Sequence, residues 1–499
     1  MLRLRANGIL LHISSLPSAY GIGDLGPEAY RWVDFLKDAK QGFWLVLPVN
    51  PVTPENHHSP YQATSVFAGN PLFISPSGLL DEGLLAREDL HDTPHFPEDR
   101  VDYPRAVTEK RRLLDIAYRR FSTAGPSHDF EAFCERNSHW LKDFAVFTAL
   151  AERFPQTSWA NWPPPLRDGH RDEIDRLVVE LRDLVERTKF CQYIFNKQWF
   201  RLKRYANERG VRMIGDLPFY VGYESADVWS HADLFKLDES KRREFVAGVP
   251  PDAFSDTGQL WGNPVYDWPE HTETGYAWWI SRFGRNLELF DMVRIDHFRG
   301  FAAYWEVPGD HANAVDGKWV KSPGENIFRT LLRYYPFPPL IAEDLGTITP
   351  DVRELMHTFG FPGMKVILFA FDGDTASNPY SAHNHVRNSV LFTGTHDNNT
   401  MRGWFENEAT EEQKQRLADY LGHMPGASEV HSDLIRLAMM SVCRLVVVPM
   451  QDVLGLGSEA RMNRPAVAEG NWEWRMKMEQ ATPGLAEHLA RLTQIYGRA

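Results

Sequence analysis

The sequence predicts an α/β protein, a (β/α)8 TIM barrel with inserted, largely helical subdomains and no C-terminal β-sandwich. Three observations predict it. Eight short apolar runs lie along the chain, most of them separated by segments of helix length. The runs are nearly continuous in hydrophobicity, the pattern of a parallel sheet covered on both faces. Acidic motifs stand at the C-terminal ends of several runs, the rim on which barrel sites are built.

The runs occupy 8–12, 43–48, 211–216, 292–296, 340–343, 364–369, 390–393 and 445–449. About 160 residues separate the second run from the third, too many for one crossover, so an inserted subdomain is expected over approximately 50–205. Within it Ile174, Leu177, Val178, Leu181, Leu184 and Val185 recur at helical spacing and predict a helix packed on the body. Residues 81–104 are acidic, proline-containing and aperiodic, which predicts a surface loop. A second insertion covers approximately 220–286. Its segment 248–262 is rich in Gly, Pro and polar residues, with Phe254 and Trp261 embedded. It reads as neither helix nor strand, but as a lid presenting exposed aromatics over a cleft. The remainder after the last run is helical in pattern and too short for a β-sandwich. Residues 1–499 thus read as a single catalytic barrel carrying two insertions.

Net charge is −13 and no basic block tracks a phosphate backbone, which disfavours nucleic acid. Cys134, Cys191 and Cys443 stand far apart, so neither a disulfide framework nor a zinc site is expected, and a cytoplasmic location fits. The apolar run 9–11 is broken at His12, too short for a signal-peptide core, and no run approaches a membrane span. His231, His383 and His385 lack the spacing of a helical metal site and read as solvated loop residues; no metal is expected. With 16 Trp and 17 Tyr, the chain has aromatics to spare for stacking on the C–H face of a pyranose.

The chemistry lies in three motifs, in this order: Val293-Arg294-Ile295-Asp296-His297, Ile341-Ala342-Glu343-Asp344 and Thr395-His396-Asp397-Asn398-Asn399. They place three carboxylates at the ends of the fourth, fifth and seventh runs. That set suits cleavage of an α-glucosidic bond through a covalent intermediate. Asp296 is the candidate nucleophile, with Arg294 two residues earlier on the same strand face to keep it ionised. A structural Arg–Asp ion pair is the alternative. Glu343 is the candidate acid/base, its proton held by partial burial; a carboxylate at a helix N-terminus is the alternative. Asp344 competes with it but is expected to point away from the axis. Asp397 is the candidate transition-state stabiliser with His396, unless it is a helix cap. Asp216, ending the third run, either buttresses a sugar or caps its turn.

The chain resembles the amylomaltases, the 4-α-glucanotransferases of glycoside hydrolase family 77 in the α-amylase clan. The resemblance rests on Gly8-Ile9-Leu10-Leu11-His12, Ser59-Pro60-Tyr61-Gln62, Gly215-Asp216-Leu217-Pro218, the 248–262 segment, Arg294 to Gly300, Arg461-Met462-Asn463 and Asn471-Trp472-Glu473-Trp474-Arg475. It implies Asp296 as nucleophile, Glu343 as acid/base and Asp397 as stabiliser. It implies Tyr61 stacking under the sugar at the cleavage point, with Asp216, Arg294 and His396 around it. Asp252, Phe254, Gln259 and Trp261 would be lid contacts, and Asn463 would lie on the acceptor side. Asn56 departs from a Tyr that many members carry on an outer glucan-binding surface. Leu45 and Ala466 are further departures, away from the carboxylates.

The expected activity is transfer of an α-1,4-glucan segment from a maltooligosaccharide, glycogen or starch chain to the 4-hydroxyl of another glucan or of glucose, without a cofactor. A hydrolytic α-amylase or debranching glucosidase would use the same carboxylates. A catalytically silent glucan-binding protein would not need an acid/base glutamate.

Overall fold

The computed structural model describes residues 5–251, 255–465 and 467–498. Twelve strands are labelled in chain order: β1 (Ala6–Leu10), β2 (Phe43–Leu45), β3 (Arg212–Leu217), β4 (Phe245–Val249), β5 (Gln259–Pro264), β6 (Met292–Ile295), β7 (Ala303–Pro308), β8 (Lys318–Lys321), β9 (Leu340–Ala342), β10 (Gly363–Val366), β11 (Ser389–Phe392) and β12 (Leu445–Pro449). Eight of them close a parallel barrel in the order β1-β2-β3-β6-β9-β10-β11-β12, and β12 pairs back onto β1. These are the eight apolar runs of the sequence. Strands such as β2, β9 and β12 are buried at every residue. One face meets the barrel interior and the other the helical shell, so a polar residue is tolerated only at the rim. The sixth run departs most from expectation: β10 stops at Val366 and Ile367–Phe371 tightens into a 3-10 helix.

The connection from β2 to β3 is mostly helical, with long helices at Tyr103–Ala124, Ser138–Arg153 and Arg182–Glu208. The apolar stripe around 174–185 spans two helices, Arg171–Glu180 and Arg182–Glu208, rather than one. Leu181 leaves helical geometry, yet its N–H still donates to Leu177 and its carbonyl accepts from Val185. The stripe therefore runs on across the bend, and periodicity reports the buried face without the kink.

The 248–262 segment is not strandless. It joins β4 to β5, which pair antiparallel, and β4 also pairs with β7 and β7 with β8, giving a sheet of order β5-β4-β7-β8. The partner strands lie more than forty residues downstream, as Gly248 opposite Trp305 shows, so local composition carried no sign of them. Gly248 is required by its neighbours: a Cβ there would sit 2.5 Å from the Gln259 carbonyl oxygen.

After β12, no strand follows among the described residues, and the helix Pro483–Ile495 is the last long element. Most of 461–477 has no regular structure, contrary to the helical expectation. It runs back over the barrel rim, where the Arg475 guanidinium donates to the carbonyls of Leu16, Ser18 and Pro97.

One buried ion pair fastens the first insertion to the barrel. The Lys110 ammonium lies 2.8 Å from Asp24, in the loop after β1, and donates to the Ile74 carbonyl at 2.8 Å. Lys110 is 1% exposed, so these partners, with the Tyr20 ring 5.4 Å away, must offset its desolvation. We expect Lys110→Met to cost about 3–5 kcal/mol, because it strands the Asp24 carboxylate. Denaturant titration should show Asp24→Asn/Lys110→Met recovering most of that loss; a double variant as unstable as the single one refutes the account.

Candidate active site

β3, β6 and β9 lie side by side in parallel register. Asp216 is level with Arg294, and Ile295 with Ala342. One residue further on, past the strand ends, come Asp296 and Glu343. The two carboxylates therefore start from neighbouring backbones about 4.8 Å apart. His297 then turns into the left-handed region, φ 50°, which brings its N–H to 2.7 Å from Glu343 Oε2. Leu345 N–H donates to Glu343 Oε1, also at 2.7 Å. No helix begins at Glu343; the next starts at Pro350. Asp344 turns aside and accepts from Met364 N at 2.6 Å, as its place on the strand predicts.

Arg294 stands between two carboxylates. Its Nη1 is 2.7 Å from both Asp216 oxygens and 3.0 Å from Asp296 Oδ1. The Tyr61 hydroxyl donates to Asp216 at 2.6 Å and lies 3.4 Å from His396 Nδ1. The Tyr61 ring stacks on His396, with centroids 4.9 Å apart, and Trp472 tilts against both rings. Asp397 accepts from Asn463 Nδ2 at 2.6 Å and lies 3.3 Å from His396 Nε2, while its carboxylate stays 43% exposed. Asp397 caps no helix: Thr400 is the cap of the helix Met401–Asn407.

Two carboxylates, Asp216 and Asp296, thus contact one guanidinium, with Glu343 on the adjacent strand. Burial, the first cause, raises the proton affinity of Asp296 and Glu343; Arg294 opposes it in both, and Asp216 adds to it in both. Asp296 and Glu343 therefore titrate together and not as independent groups. Burial lowers His396, leaving it a neutral imidazole at neutral pH, and holds His12 down to about 3.

Gln259 and Trp261 share the inward face of β5. Trp261 Nε1 donates to Gln259 Oε1 at 3.2 Å, and its ring meets His297 edge-on at 4.9 Å. Trp261 is half-buried, not freely exposed, because His297 and Tyr220 flank it. Asp252, Phe254 and Ala466 lie outside the described residues. Gln62 and Asn263 exchange side-chain hydrogen bonds at 3.1 and 3.2 Å, tying the Tyr61 segment to β5. Asn56 donates to the Gln62 carbonyl at 2.8 Å. Of the three loop histidines, His385 is buried and bonded to Ser441, not solvated.

Sequence reasoning missed Trp472, the Gln62–Asn263 pair and Arg461, whose Nη2 donates to the Asp397 carbonyl at 2.6 Å. Trp472 and Arg461 do fall in C-terminal motifs that the resemblance singled out, and that was the only signal available.

The profile of the 4-alpha-glucanotransferase family matches residues 11–480. A 4-alpha-glucanotransferase of Aquifex aeolicus is 47% identical over 496 residues, 99% of this chain and 100% of that one. One from Synechocystis is 45% identical, covering 100% and 99% of the two chains. The solved amylomaltase from Streptococcus agalactiae in complex with acarbose superposes with a TM-score of 0.95 at 37% identity, over 99% of this chain and 100% of that one. With the profile and these relatives spanning nearly its whole length, the chain belongs to the 4-alpha-glucanotransferase family.

Proposed function

We propose that this 4-alpha-glucanotransferase works by a retaining double displacement on α-1,4-glucans, with Asp296, Glu343 and Asp397 as its catalytic groups. The observation that carries this reading is the register of β6 and β9. It sets Asp296 and Glu343 on adjacent backbones, compatible with the roughly 5–5.5 Å carboxyl separation of retaining enzymes.

Asp296 Oδ attacks the anomeric carbon as Glu343 delivers its proton to the leaving glycosidic oxygen. The reducing-end fragment departs, and the donor fragment remains as an ester on Asp296. The 4-hydroxyl of an acceptor glucan, or of glucose, then gives its proton to Glu343 and displaces Asp296. Each step inverts the anomeric carbon, so the α configuration is kept. The scheme requires the proton on Glu343, against the two backbone N–H bonds that favour its ionised form. Asp296 has Arg294 at 3.0 Å and a 27% exposed side chain, whereas no cation pairs with Glu343 among the described residues. Asp397, held by Asn463 and His396, grips the sugar hydroxyls, and Tyr61 supports the sugar ring. The acarbose complex of the Streptococcus agalactiae amylomaltase favours an oligosaccharide ligand for this cleft. We read the chain as one catalytic unit with insertions near 50–205 and 220–286, acting in the cytoplasm; no described helix is long and apolar enough to cross a membrane. The primary test is chromatography of products from pure maltotriose. Glucose together with longer maltooligosaccharides, at constant reducing ends, is expected. Glucose and maltose alone would make the enzyme a hydrolase.

Asp296→Asn should abolish turnover and leave glucan binding nearly intact. Glu343→Gln should slow maltotriose far more than an α-glucosyl fluoride, whose leaving group needs no protonation. Equal losses on both donors would remove Glu343 from the acid role.

The first step needs protonated Glu343, so kcat/KM falls as pH rises through its raised pKa. Asp216 helps to raise that value. Asp216→Asn removes a negative neighbour, so Glu343 should lose its proton at lower pH. The alkaline limb of kcat/KM should move toward acid; a limb that stays or moves the other way contradicts the coupling.

Transfer must outcompete water. Water at roughly 55 M against millimolar acceptor demands about four orders of magnitude, on the order of 5–6 kcal/mol. Contact with one aromatic supplies about 1 kcal/mol of this; orientation and excluded water must supply the rest. Trp261→Ala should therefore shift partition toward hydrolysis by roughly tenfold while the first bond-breaking step survives. New reducing ends measured against total disproportionation decide it, and an unchanged ratio would make Trp261 a packing residue.

A further inference from the structure

The small sheet beside the barrel carries a feature that the catalytic scheme does not use. Leu260 on β5, Gly248 on β4, Trp305 on β7 and Trp319 on β8 stand level with one another across the four strands. The row is apolar, and its ends remain in solvent: Leu260 is 37% exposed and Trp319, on the outermost strand, 41%. A tryptophan on an edge strand flanked by Lys318 and Lys321, both exposed, is not a core residue.

Trp319 is nevertheless held in place. The Arg299 guanidinium lies 4.0 Å from its ring centroid and covers one face. Trp305 meets it edge-on at 5.3 Å and is itself fixed by a 2.9 Å bond from its Nε1 to the Ala314 carbonyl. An indole braced on one side and open on the other is a preorganised stacking surface. Arg299 also donates to the Thr347 carbonyl, in the exposed stretch just after Glu343. The ring and the acid/base loop thus share one guanidinium, and both lie on the same rim.

We propose that Trp319, backed by Arg299 and Trp305, is an outer binding site for an α-1,4-glucan chain that emerges from the cleft on the Glu343 side. The proposal rests on the reading of Glu343 as the acid/base. That group protonates the leaving oxygen and later deprotonates the acceptor, so the leaving chain and the acceptor chain both lie on its side of the broken bond. Thr347 lies four positions beyond Glu343, and the Arg299 side chain lies between it and the indole. In this proposal the indole lies beyond the residues that hold the sugar at the cleavage point, so a longer glucan reaches it. The pyranose C–H face is the part of such a chain that stacks on an indole, and Lys321, on the same face of β8 as Trp319, offers donors to its hydroxyls.

The test compares substrate lengths in one protein. Trp319→Ala should raise KM for amylose roughly three- to tenfold, the range expected for one aromatic contact, with kcat little changed. The same variant should handle maltotriose, too short in this proposal to reach the indole, within about twofold of the unsubstituted enzyme. Retardation in an amylose-containing native gel should weaken in parallel, and Trp319→Phe should restore most of both effects. Parallel losses on maltotriose and amylose would make Trp319 a prop for Arg299 and overturn the proposal, as would no change on either. A failure of the glucanotransferase reading is distinct: the unsubstituted enzyme would then form no longer products from maltotriose.

Discussion

One guanidinium organises this molecule. Arg294 lies inside a barrel whose strands are otherwise almost wholly apolar, where a lone charge is not tolerated. It is tolerated because Asp216, level with it on the neighbouring strand, meets it through both oxygens. That pair joins β3 to β6 by side chains as well as by backbone. It also fixes the sign of the field at the rim. Without Arg294, Asp296 would face the Asp216 charge uncompensated and hold its proton more tightly. A nucleophilic carboxylate can therefore exist here only while the guanidinium stays seated between the two.

The remaining parts of the site are loops, and loops need partners for their polar backbone. Each is held by a segment remote in the chain. Asn263 on β5 clasps Gln62 and thereby the Tyr61 turn. Asn463 and Arg461 hold the side chain and carbonyl of Asp397. Tyr103, from the first insertion, donates to the carbonyl of Trp472, which packs on Tyr61 and His396. The insertions and the segment after β12 thus steady the rim, and the barrel fixes Asp216, Arg294, Asp296 and Glu343 at or near its strand ends.

That division sets what was legible in the sequence. The eight barrel strands announce themselves because burial on both faces demands unbroken hydrophobic runs, and Arg294, Asp296 and Glu343 are legible because they end such runs. The β4–β5 pair was not legible. Its Gly, Pro and polar residues form strands only because β7 supplies partners from far down the chain. Trp472 has a left-handed backbone, φ 64°, in a stretch without periodicity, so nothing local marks it as part of the site. The break at Leu181 escaped because the apolar stripe is indifferent to it. Residues whose role follows from their own neighbours could be read, while those defined by distant contacts appeared only in three dimensions.

The path of the 461–477 segment has a consequence for biosynthesis. The chain emerges from the ribosome N-terminus first, so the nucleophile and the acid/base are made well before Asn463 and Trp472. β1 is the first strand made, yet it waits for β12, more than four hundred residues later, to close the barrel. Until then the apolar flank of β1 has no strand beside it, and Asp397 lacks the amide that orients it. A nascent chain thus holds its carboxylates before the residues that orient Asp397 and pack on Tyr61 have been made. Such long-range closure is slow and leaves a sticky edge in the meantime, which makes the growing chain a natural client for chaperones.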